Sequence, residues 1–227
     1  MEILRRIIDV VAASAGLLVL SPALVALAIA VRITSPGPAL YRGVRTGRHG
    51  EPFRICKFRS MTVGGESLGG TTTGAADPRL TPIGRFIRKH KLDELPQLLN
   101  VLWGDMSLVG PRPEVAEYTS RYTERERTIL SVKPGITDLA SLEFVDLQAV
   151  VGAEDPDAAY RRHVLPRKNE LRVRYVETRT LGGDAAILVR TVAKVLGLGF
   201  GLGPARDATA VAPNSKSAPK PAQRRAA

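Results

Sequence analysis

Two adjacent carboxylates stand in the part of the sequence that is richest in reactive side chains. Asp93 and Glu94 come directly after a run of basic residues that includes Arg88 and Lys91. Neighbouring residues on a helix diverge by about 100°, so this pair cannot attack one atom from opposite sides as the carboxylates of a glycosidase do. Two adjacent carboxylates can instead share a hard cation such as Mg²⁺, which also binds substrate phosphates. The pattern therefore favours a site that handles a diphosphate.

A structural explanation of the same residues stays open at this point. Asp93 is a good helix N-cap, Glu94 is favoured in a first helical turn by the helix dipole, and Pro96 is tolerated in that turn. The two interpretations are compatible, because a capping carboxylate that is surrounded by cations stays ionised and is oriented by its backbone.

A second candidate element is Gly110-Pro111-Arg112-Pro113. The two prolines flanking Arg112 have a fixed φ, so they present the guanidinium stiffly and limit the entropy lost when it grips a phosphate. Taken alone, the tetrapeptide is better explained as a rigid loop with a solvated arginine. The sequence has neither a Walker phosphate loop nor a Rossmann glycine fingerprint, so any nucleotide must be held in another way.

The element that must position these residues is apolar. Val10 to Val31 contains no charged residue and is interrupted at its middle by Ser21-Pro22. A helix of this length rises about 33 Å, which is enough to cross a hydrocarbon core. Pro22 removes a backbone donor, so a kink or break is expected there, with the Ser21 hydroxyl satisfying a freed backbone group.

Charge placement favours a re-entrant course for this segment. Arg5 and Arg6 precede it and Arg32 follows it, so the positive-inside rule keeps both ends in the cytoplasm. A re-entrant helix broken at Ser21-Pro22 meets this demand, whereas a spanning helix exports one arginine cluster. A cleaved signal peptide is a third alternative, but the apolar stretch is too long for one and has a proline in its middle.

Composition narrows the partners. The chain has 227 residues and a net charge of +11, which implies an anionic partner: nucleic acid, anionic lipid or a phosphorylated small molecule. A nucleic-acid binder needs no apolar anchor, and aromatics at 5% leave few stacking platforms, so we predict no nucleic-acid role. The single cysteine, Cys56, fits a reducing compartment and a buried position. We divide the chain into a membrane anchor (1–33), a catalytic domain (34–198) and a disordered basic tail (199–227).

Periodicity predicts the elements of the domain. Extended segments are expected around Phe53 to Phe58, and a glycine-rich mobile loop over 63–76. Helical patterns follow at Ile83 to Lys91, at an apolar stripe formed by Leu95, Leu98, Leu99 and Leu102, at Val115 to Leu130, at Asp157 to Glu177, and at Asp184 to Leu198. The last of these helices either lies at the membrane interface or packs on the core, and its pattern does not decide between them.

Seven ordered motifs resemble the bacterial sugar transferases known as monotopic polyprenyl-phosphate phosphoglycosyltransferases, and the match covers about residues 1 to 198. The motifs are Ser21-Pro22 in the apolar segment, Lys57-Phe58-Arg59-Ser60-Met61, Asp77-Pro78-Arg79, Leu92-Asp93-Glu94-Leu95-Pro96-Gln97, Asn100-Val101-Leu102, Gly104 to Pro113, and Lys133-Pro134-Gly135-Ile136-Thr137.

The resemblance implies an activity and a set of roles. Such enzymes move a sugar 1-phosphate from a nucleoside diphosphate sugar, usually a UDP-sugar, to undecaprenyl phosphate, release UMP and so start a surface glycan. Asp93 is then the nucleophile that forms an aspartyl-phosphosugar intermediate, and Glu94 helps Asp93 to bind Mg²⁺. Phosphate contacts are expected from Arg88 and Arg112, and more weakly from Arg59 and Arg79.

The resemblance also implies a fold and a location. We expect a compact, helix-rich α/β catalytic domain with a re-entrant membrane helix and interfacial amphipathic helices. It is expected to be monotopic on the cytoplasmic face of the bacterial inner membrane, in contact with anionic lipids. The chain resembles the minimal catalytic unit, because it lacks the multi-helix N-terminal region of larger members. A homodimer is neither predicted nor excluded.

One departure and two alternatives remain. After Gly135-Ile136-Thr137 many larger members continue with a Gln-Val-Asn-Gly-Arg segment that this chain lacks, so the sugar specificity is not predicted. A catalytically silent membrane scaffold in a glycan assembly complex is the alternative from another class. A glycosyltransferase that releases UDP is the alternative enzyme.

Overall fold

The structure is a computed structural model that describes residues 1–65, 77–144 and 156–198. Most of the loop predicted over 63–76 and the whole tail predicted from residue 199 lie outside these ranges. The described part is rich in helix. Its α-helices are α1 (Glu2–Thr34), α2 (Pro82–Lys89), α3 (Gln97–Trp103), α4 (Ala116–Thr119), α5 (Glu124–Arg127), α6 (Leu139–Glu143), α7 (Pro156–Ala159), α8 (Leu165–Thr178) and α9 (Leu181–Val195).

The long helix α1 runs without interruption through Ser21-Pro22, which differs from the predicted break. Pro22 has no N–H to offer the carbonyl four residues earlier, that of Leu18. The Ser21 hydroxyl donates a hydrogen bond to this carbonyl at 2.8 Å. The predicted compensation by Ser21 is therefore confirmed, and it explains why the backbone stays helical past the proline.

Helix α1 has two faces. One face packs along the domain: Ala13 and Val31 are fully buried, and Leu24 and Leu27 contact the cluster around Phe58 and Ile87. The opposite face exposes an apolar stripe at helical spacing, formed by Leu4, Ile8, Val11, Leu18, Val25, Ile29 and Ile33. It is also the one helix of the described residues that is long and apolar enough to cross a membrane, with a mean hydropathy of 2.3.

Both ends of α1 are fixed to the same domain by polar contacts. Near the N-terminus, Arg6 donates to the carbonyl of Leu102 at 2.7 Å, and the buried Asp9 accepts from the Leu108 N–H at 2.9 Å. At the other end, the buried Arg59 donates to the Ser35 carbonyl at 2.7 Å. The helix therefore lies along the domain over its whole length.

The strands form three separate pairs. β1 (Leu40–Tyr41) pairs antiparallel with β4 (Lys57–Phe58), and β2 (Val44–Thr46) pairs antiparallel with β3 (Pro52–Arg54). The third pair is parallel. It joins β5 (Ser107–Val109) to β6 (Gly135–Thr137), with Ser107 opposite Gly135 and Val109 opposite Thr137. The extended segments predicted around Phe53 to Phe58 are confirmed, but the described strands do not combine into one sheet.

The helix predicted over Val115 to Leu130 is wrong as a single element. The chain forms α4, turns, and starts α5 at Thr123, whose hydroxyl accepts from the Glu126 N–H while the Glu126 carboxylate accepts from the Thr123 N–H. This capping box starts a new helix, so α4 does not continue into α5. A 3₁₀ turn, Thr128–Ser131, completes the segment.

The C-terminal helices agree with the predictions. Helices α7 and α8 are joined by a π-helical stretch, Tyr160–Val164, and α9 follows. In α9, Ile187 and Leu188 pack on the main core, which also holds Ala13, Val101 and Tyr175. Val189, Val192 and Val195 are exposed on its other side. The core position of one face is confirmed, while contact of the other with a membrane stays a prediction.

Candidate active site

The two carboxylates lie on a tight turn before α3. Lys91 adopts a left-handed conformation with φ 57°, and Leu92–Glu94 forms a 3₁₀ turn that leads into the helix. The N-cap of α3 is Pro96, and no side chain caps that helix. The interpretation of Asp93 as an N-cap is therefore wrong, since Asp93 is inside the preceding turn.

Glu94 is held by two cations from distant parts of the chain. Its Oε1 accepts from Lys57 Nζ at 2.9 Å and from Arg112 Nη2 at 2.5 Å. Its Oε2 accepts from Arg112 Nη1 at 2.7 Å. Charge-assisted bonds of this bidentate kind are the strong ones in proteins. Burial acts to raise the pKa of Glu94, but the charges and hydrogen bonds of Arg112 and Lys57 outweigh it and hold that pKa well below its usual range.

Arg112 reaches Glu94 because two strands come unusually close. A Cβ on Gly135 would lie 2.1 Å from the Gly110 nitrogen, so only glycine fits there. The Gly110 N–H donates to the Thr137 carbonyl at 3.0 Å and extends the β5–β6 pairing. Arg112 Nη1 also donates to the Ile136 carbonyl at 2.6 Å. The chain next to Arg112 and the guanidinium at the end of its side chain are therefore both held in place.

Lys57 lies on β4, and hydrogen bonds from α3 hold the chain that leads into β4. Asn100 is fully buried, and its Oδ1 accepts from the Cys56 N–H while its Nδ2 donates to the Arg54 carbonyl, both at 2.8 Å. Asn100 thus ties the strand that carries Lys57 to the helix that follows the carboxylates. Cys56 is buried and free, as its sequence predicted.

Asp93 is the carboxylate that these contacts leave open. It is 6% exposed, and within the residues that the structure describes none donates a hydrogen bond to its carboxylate. Burial is the largest cause that raises its pKa, and the Glu94 charge adds to it, whereas Lys57, Arg88 and Arg112 act to lower it. The net direction of this pKa shift is upward. That Asp93 stays ionised is still a prediction.

Arg88 is brought to this turn by a close packing of α2. A Cβ on Gly84 would lie 1.9 Å from the Ser60 carbonyl oxygen, so α2 can rest against the strand segment only with glycine there. Arg88 Nε then donates to the Ser60 hydroxyl at 2.9 Å. Its charge acts on Asp93, which agrees with the placement predicted for a phosphate contact.

The two weaker phosphate candidates have other partners in this structure. Arg59 is buried and donates to Ser35 and to the carbonyl of Pro36, so its geometry serves the end of α1. Arg79 pairs with Asp77, with Nη2 to Oδ2 at 2.6 Å. The structure therefore brings together Asp93, Glu94, Arg88 and Arg112, while phosphate binding by Arg59 and Arg79 stays a prediction.

A buried ionic network supports Arg112 from behind, and sequence reasoning gave it no role. Asp138 is fully buried and accepts from the Arg112 N–H at 3.1 Å and the Ser141 N–H at 2.6 Å. Arg172, which is 1% exposed, pairs with Asp138 at 3.4 Å and with Glu114 at 2.9 Å. The one local signal was Asp138 three residues before Ser141, a spacing typical of an N-cap.

The donor set fits Mg²⁺ in one way. A carboxylate offers about four lone-pair sites, and the two cations use three sites of Glu94, which leaves one on Oε2. Asp93 is open. Across the three described ranges no group of three His, Cys, Asp or Glu side chains could form a protein cage for a metal. The residues therefore fit an ion that takes one or two carboxylate oxygens and fills its other positions with phosphate and water.

The sequence profile of the family described as bacterial sugar transferase matches residues 1–197. The chain belongs to the bacterial sugar transferase family. This membership covers every element of the site, from the anchor helix to α9.

Three relatives illustrate the range of the family. A UDP-glucose:undecaprenyl-phosphate glucose-1-phosphate transferase of Caulobacter vibrioides is 35% identical over 86% of this chain and 70% of its own length. A protein of the same name from Escherichia coli is 43% identical over 62% of this chain, and the match spans 31% of that relative. An undecaprenyl-phosphate galactose phosphotransferase of Salmonella typhimurium is 39% identical over 85% of this chain and 40% of itself.

The buried network behind Arg112 yields a prediction about stability. Replacing Arg172 with Met leaves Asp138 and Glu114 without their main cation, which should cost about 3–5 kcal/mol of unfolding free energy at pH 7. Arg172 helps to hold the pKa values of Asp138 and Glu114 below their usual range, against the effect of burial. The wild type therefore gains from these pairs above about pH 4, where unfolded carboxylates ionise, and loses that gain as pH falls.

Thermal unfolding of the purified protein in detergent measures this effect. The difference in Tm between wild type and Arg172→Met should be large at pH 7 and smaller at pH 3, below the range in which unfolded carboxylates ionise. Arg174→Met, at an exposed neighbouring position of the same helix, should stay within about 0.5 kcal/mol of wild type. An equal Tm difference at both pH values would contradict this role for Arg172.

Proposed function

We propose that the protein transfers a sugar 1-phosphate from a nucleoside diphosphate sugar, most simply a UDP-sugar, to undecaprenyl phosphate. One observation carries this proposal: Glu94 is bound by Arg112 and Lys57, while the adjacent Asp93 is buried beside the same cations and has no donor among the described residues. A carboxylate that is oriented by its backbone, close to cations and not hydrogen-bonded is suited to attack phosphorus. The names of the relatives support the same class of reaction.

The reaction proceeds in two displacements. In the first, an oxygen of Asp93 attacks the phosphorus that carries the sugar, the bond from that phosphorus to the bridging oxygen breaks, and UMP leaves with the bonding electrons. In the second, a phosphate oxygen of the lipid attacks the phosphorus of the aspartyl-phosphosugar. The bond to Asp93 breaks, the carboxylate is restored, and the product is a lipid diphosphosugar.

The basic residues neutralise charge that would otherwise repel the carboxylate. Arg88 acts on Asp93 and is fixed by Ser60, so it can face the non-bridging phosphate oxygens. Arg112 and Lys57 are already paired with Glu94, and they can share their remaining donors with a phosphate. Mg²⁺, when bound by Glu94 and Asp93 together with the diphosphate, supplies further neutralisation of the phosphate charge.

The proposed activity requires the site to lie at a membrane surface, because the phosphate of undecaprenyl phosphate stays at headgroup level. Polar contacts at both ends of α1 support a re-entrant or in-plane course. Arg6 and Asp9 at one end, and Ser35 at the other, bind the same domain, which cannot lie on both sides of a hydrocarbon core about 30 Å thick. We therefore place the domain on the cytoplasmic face of the inner membrane, with the apolar stripe of α1 toward lipid.

The reaction class is tested with protein purified in detergent, Mg²⁺, undecaprenyl phosphate and a panel of UDP-sugars. The nucleotide released should be UMP, its release should depend on one sugar, and Asp93→Asn should abolish it while keeping the wild-type Tm, because an amide has the same shape but is no nucleophile. Glu51→Gln, an exposed carboxylate outside the site, serves as the control that keeps full activity.

Three outcomes would count against the proposal. Release of UDP would indicate glycosyl transfer. Undiminished turnover in Asp93→Asn would remove Asp93 from the mechanism. The absence of any product from a broad panel of donors, in a folded protein, would favour a catalytically silent scaffold.

The topology is tested by labelling single cysteines with a membrane-impermeant maleimide. The native Cys56 is buried and gives a low background. Cysteines that replace the exposed Glu2 and Arg32 should both be protected in spheroplasts and both be labelled in inside-out vesicles. Labelling of the two positions from opposite sides would show a spanning helix and overturn the proposed orientation.

A further inference from the structure

Gln97 carries a buried side-chain amide. It is the first residue of α3 and is fully buried. Neither its Nε2 nor its Oε1 has a hydrogen-bond partner within the part of the chain that the structure describes. A buried polar group without a partner costs folding free energy, so the unpaired amide of Gln97 needs an explanation.

Gln97 follows Asp93 by about one turn of helical backbone. Leu92–Glu94 is a 3₁₀ turn, and Leu95 and Pro96 that follow have φ, ψ of −55°, −36° and −62°, −13°, so the chain is helical from the turn into α3. Residues four apart on a helix have Cβ atoms about 5–6 Å apart. A glutamine side chain spans that gap, and Gln–Asp pairs at this spacing form hydrogen bonds in helices.

The two side chains have complementary needs. Asp93 is a buried carboxylate that accepts no hydrogen bond from the described residues, and Gln97 is a buried amide whose two donors are unused. Glu94 is no competitor for these donors, because Arg112 and Lys57 already bind it. Asn100, one turn further along α3, shows the contrast: it is equally buried, but its amide binds Cys56 and Arg54.

We propose that Gln97 is a positioning residue for the nucleophile: with the donor substrate bound, its Nε2 donates to one oxygen of Asp93 and directs the other toward the phosphorus. This inference rests on the proposed function. A carboxylate with no hydrogen bond can rotate about its own side-chain bonds, so one bond from a buried and packed amide narrows its orientation to the attacking one. Hydrogen bonds of catalytic groups are often absent in the free enzyme and form in the substrate complex.

The test uses Gln97→Met, which keeps the length of the side chain and removes both polar atoms. The readout is the single-turnover release of UMP from the preferred UDP-sugar without lipid, in the full chain in detergent. We expect the rate to fall at least tenfold while KM for the donor in steady-state turnover with lipid stays within twofold. The Tm should stay equal or rise, because an unsatisfied amide has been removed. Leu98→Met, at the next position of α3, is the matched control and should keep the wild-type rate.

Other results would overturn the inference. A rate within twofold of wild type would remove Gln97 from positioning, and a slower rate that comes with a lower Tm would assign it a structural role only. If Gln97→Met does not fold, Gln97→Leu is judged by the same criteria, since its side chain is apolar and cannot donate to Asp93. Absence of UMP release by the wild type itself would overturn the proposed first step as well, whereas a normal rate in the variants alone would overturn only the role of Gln97.

Discussion

The ion pairs of Glu94 with Arg112 and Lys57 are the constraint on which the site depends. They join three segments that are far apart in sequence: the strand β4, the turn before α3, and the loop after β5. Because three of the about four lone-pair sites of Glu94 are occupied, the neighbouring Asp93 is left as the carboxylate that accepts no hydrogen bond from the described residues. Two adjacent carboxylates thus lie in different environments and can take different roles. Different surroundings are a general way in which two carboxylates of one site come to act differently.

The membrane anchor and the site share their supports. Arg6 binds the last turn of α3, the helix that begins directly after the carboxylates, and Asp9 binds β5, the strand that leads to Arg112. Arg59 lies two residues after Lys57 and fixes the other end of α1. The contacts of α1 therefore reach the elements that carry Lys57, Glu94 and Arg112.

Local features were predictable from sequence, and long-range ones were not. The apolar period of α1, the periods of α8 and α9, and the ability of Ser21 to serve a carbonyl freed by Pro22 depend on residues within one or two turns. Lys57 and Glu94 are 37 positions apart, and the sequence near either residue does not indicate that they pair. The network of Arg172, Asp138 and Glu114 was missed for the same reason.

Two predictions failed at points where the chain starts a new turn or helix. Asp93 has the composition of an N-cap, but the left-handed Lys91 starts a 3₁₀ turn that places it inside the turn. Val115 to Leu130 has an amphipathic period, but the capping box at Thr123 restarts the helix in the middle. The resemblance to a family singled out Asp93, Glu94, Arg88 and Arg112, which the structure places close together, and their roles stay predictions. The partners that surround them became visible only in three dimensions.

Mass spectrometry of the enzyme during the first half-reaction tests the central claim most directly. The protein is incubated with its UDP-sugar and Mg²⁺ without lipid, quenched in acid and digested. The account predicts an adduct with the mass of one sugar phosphate on the peptide that contains Asp93, fragment ions that locate it on Asp93, and its loss when undecaprenyl phosphate is added. An adduct on Glu94, or UMP release that requires the lipid and leaves no adduct, would contradict it.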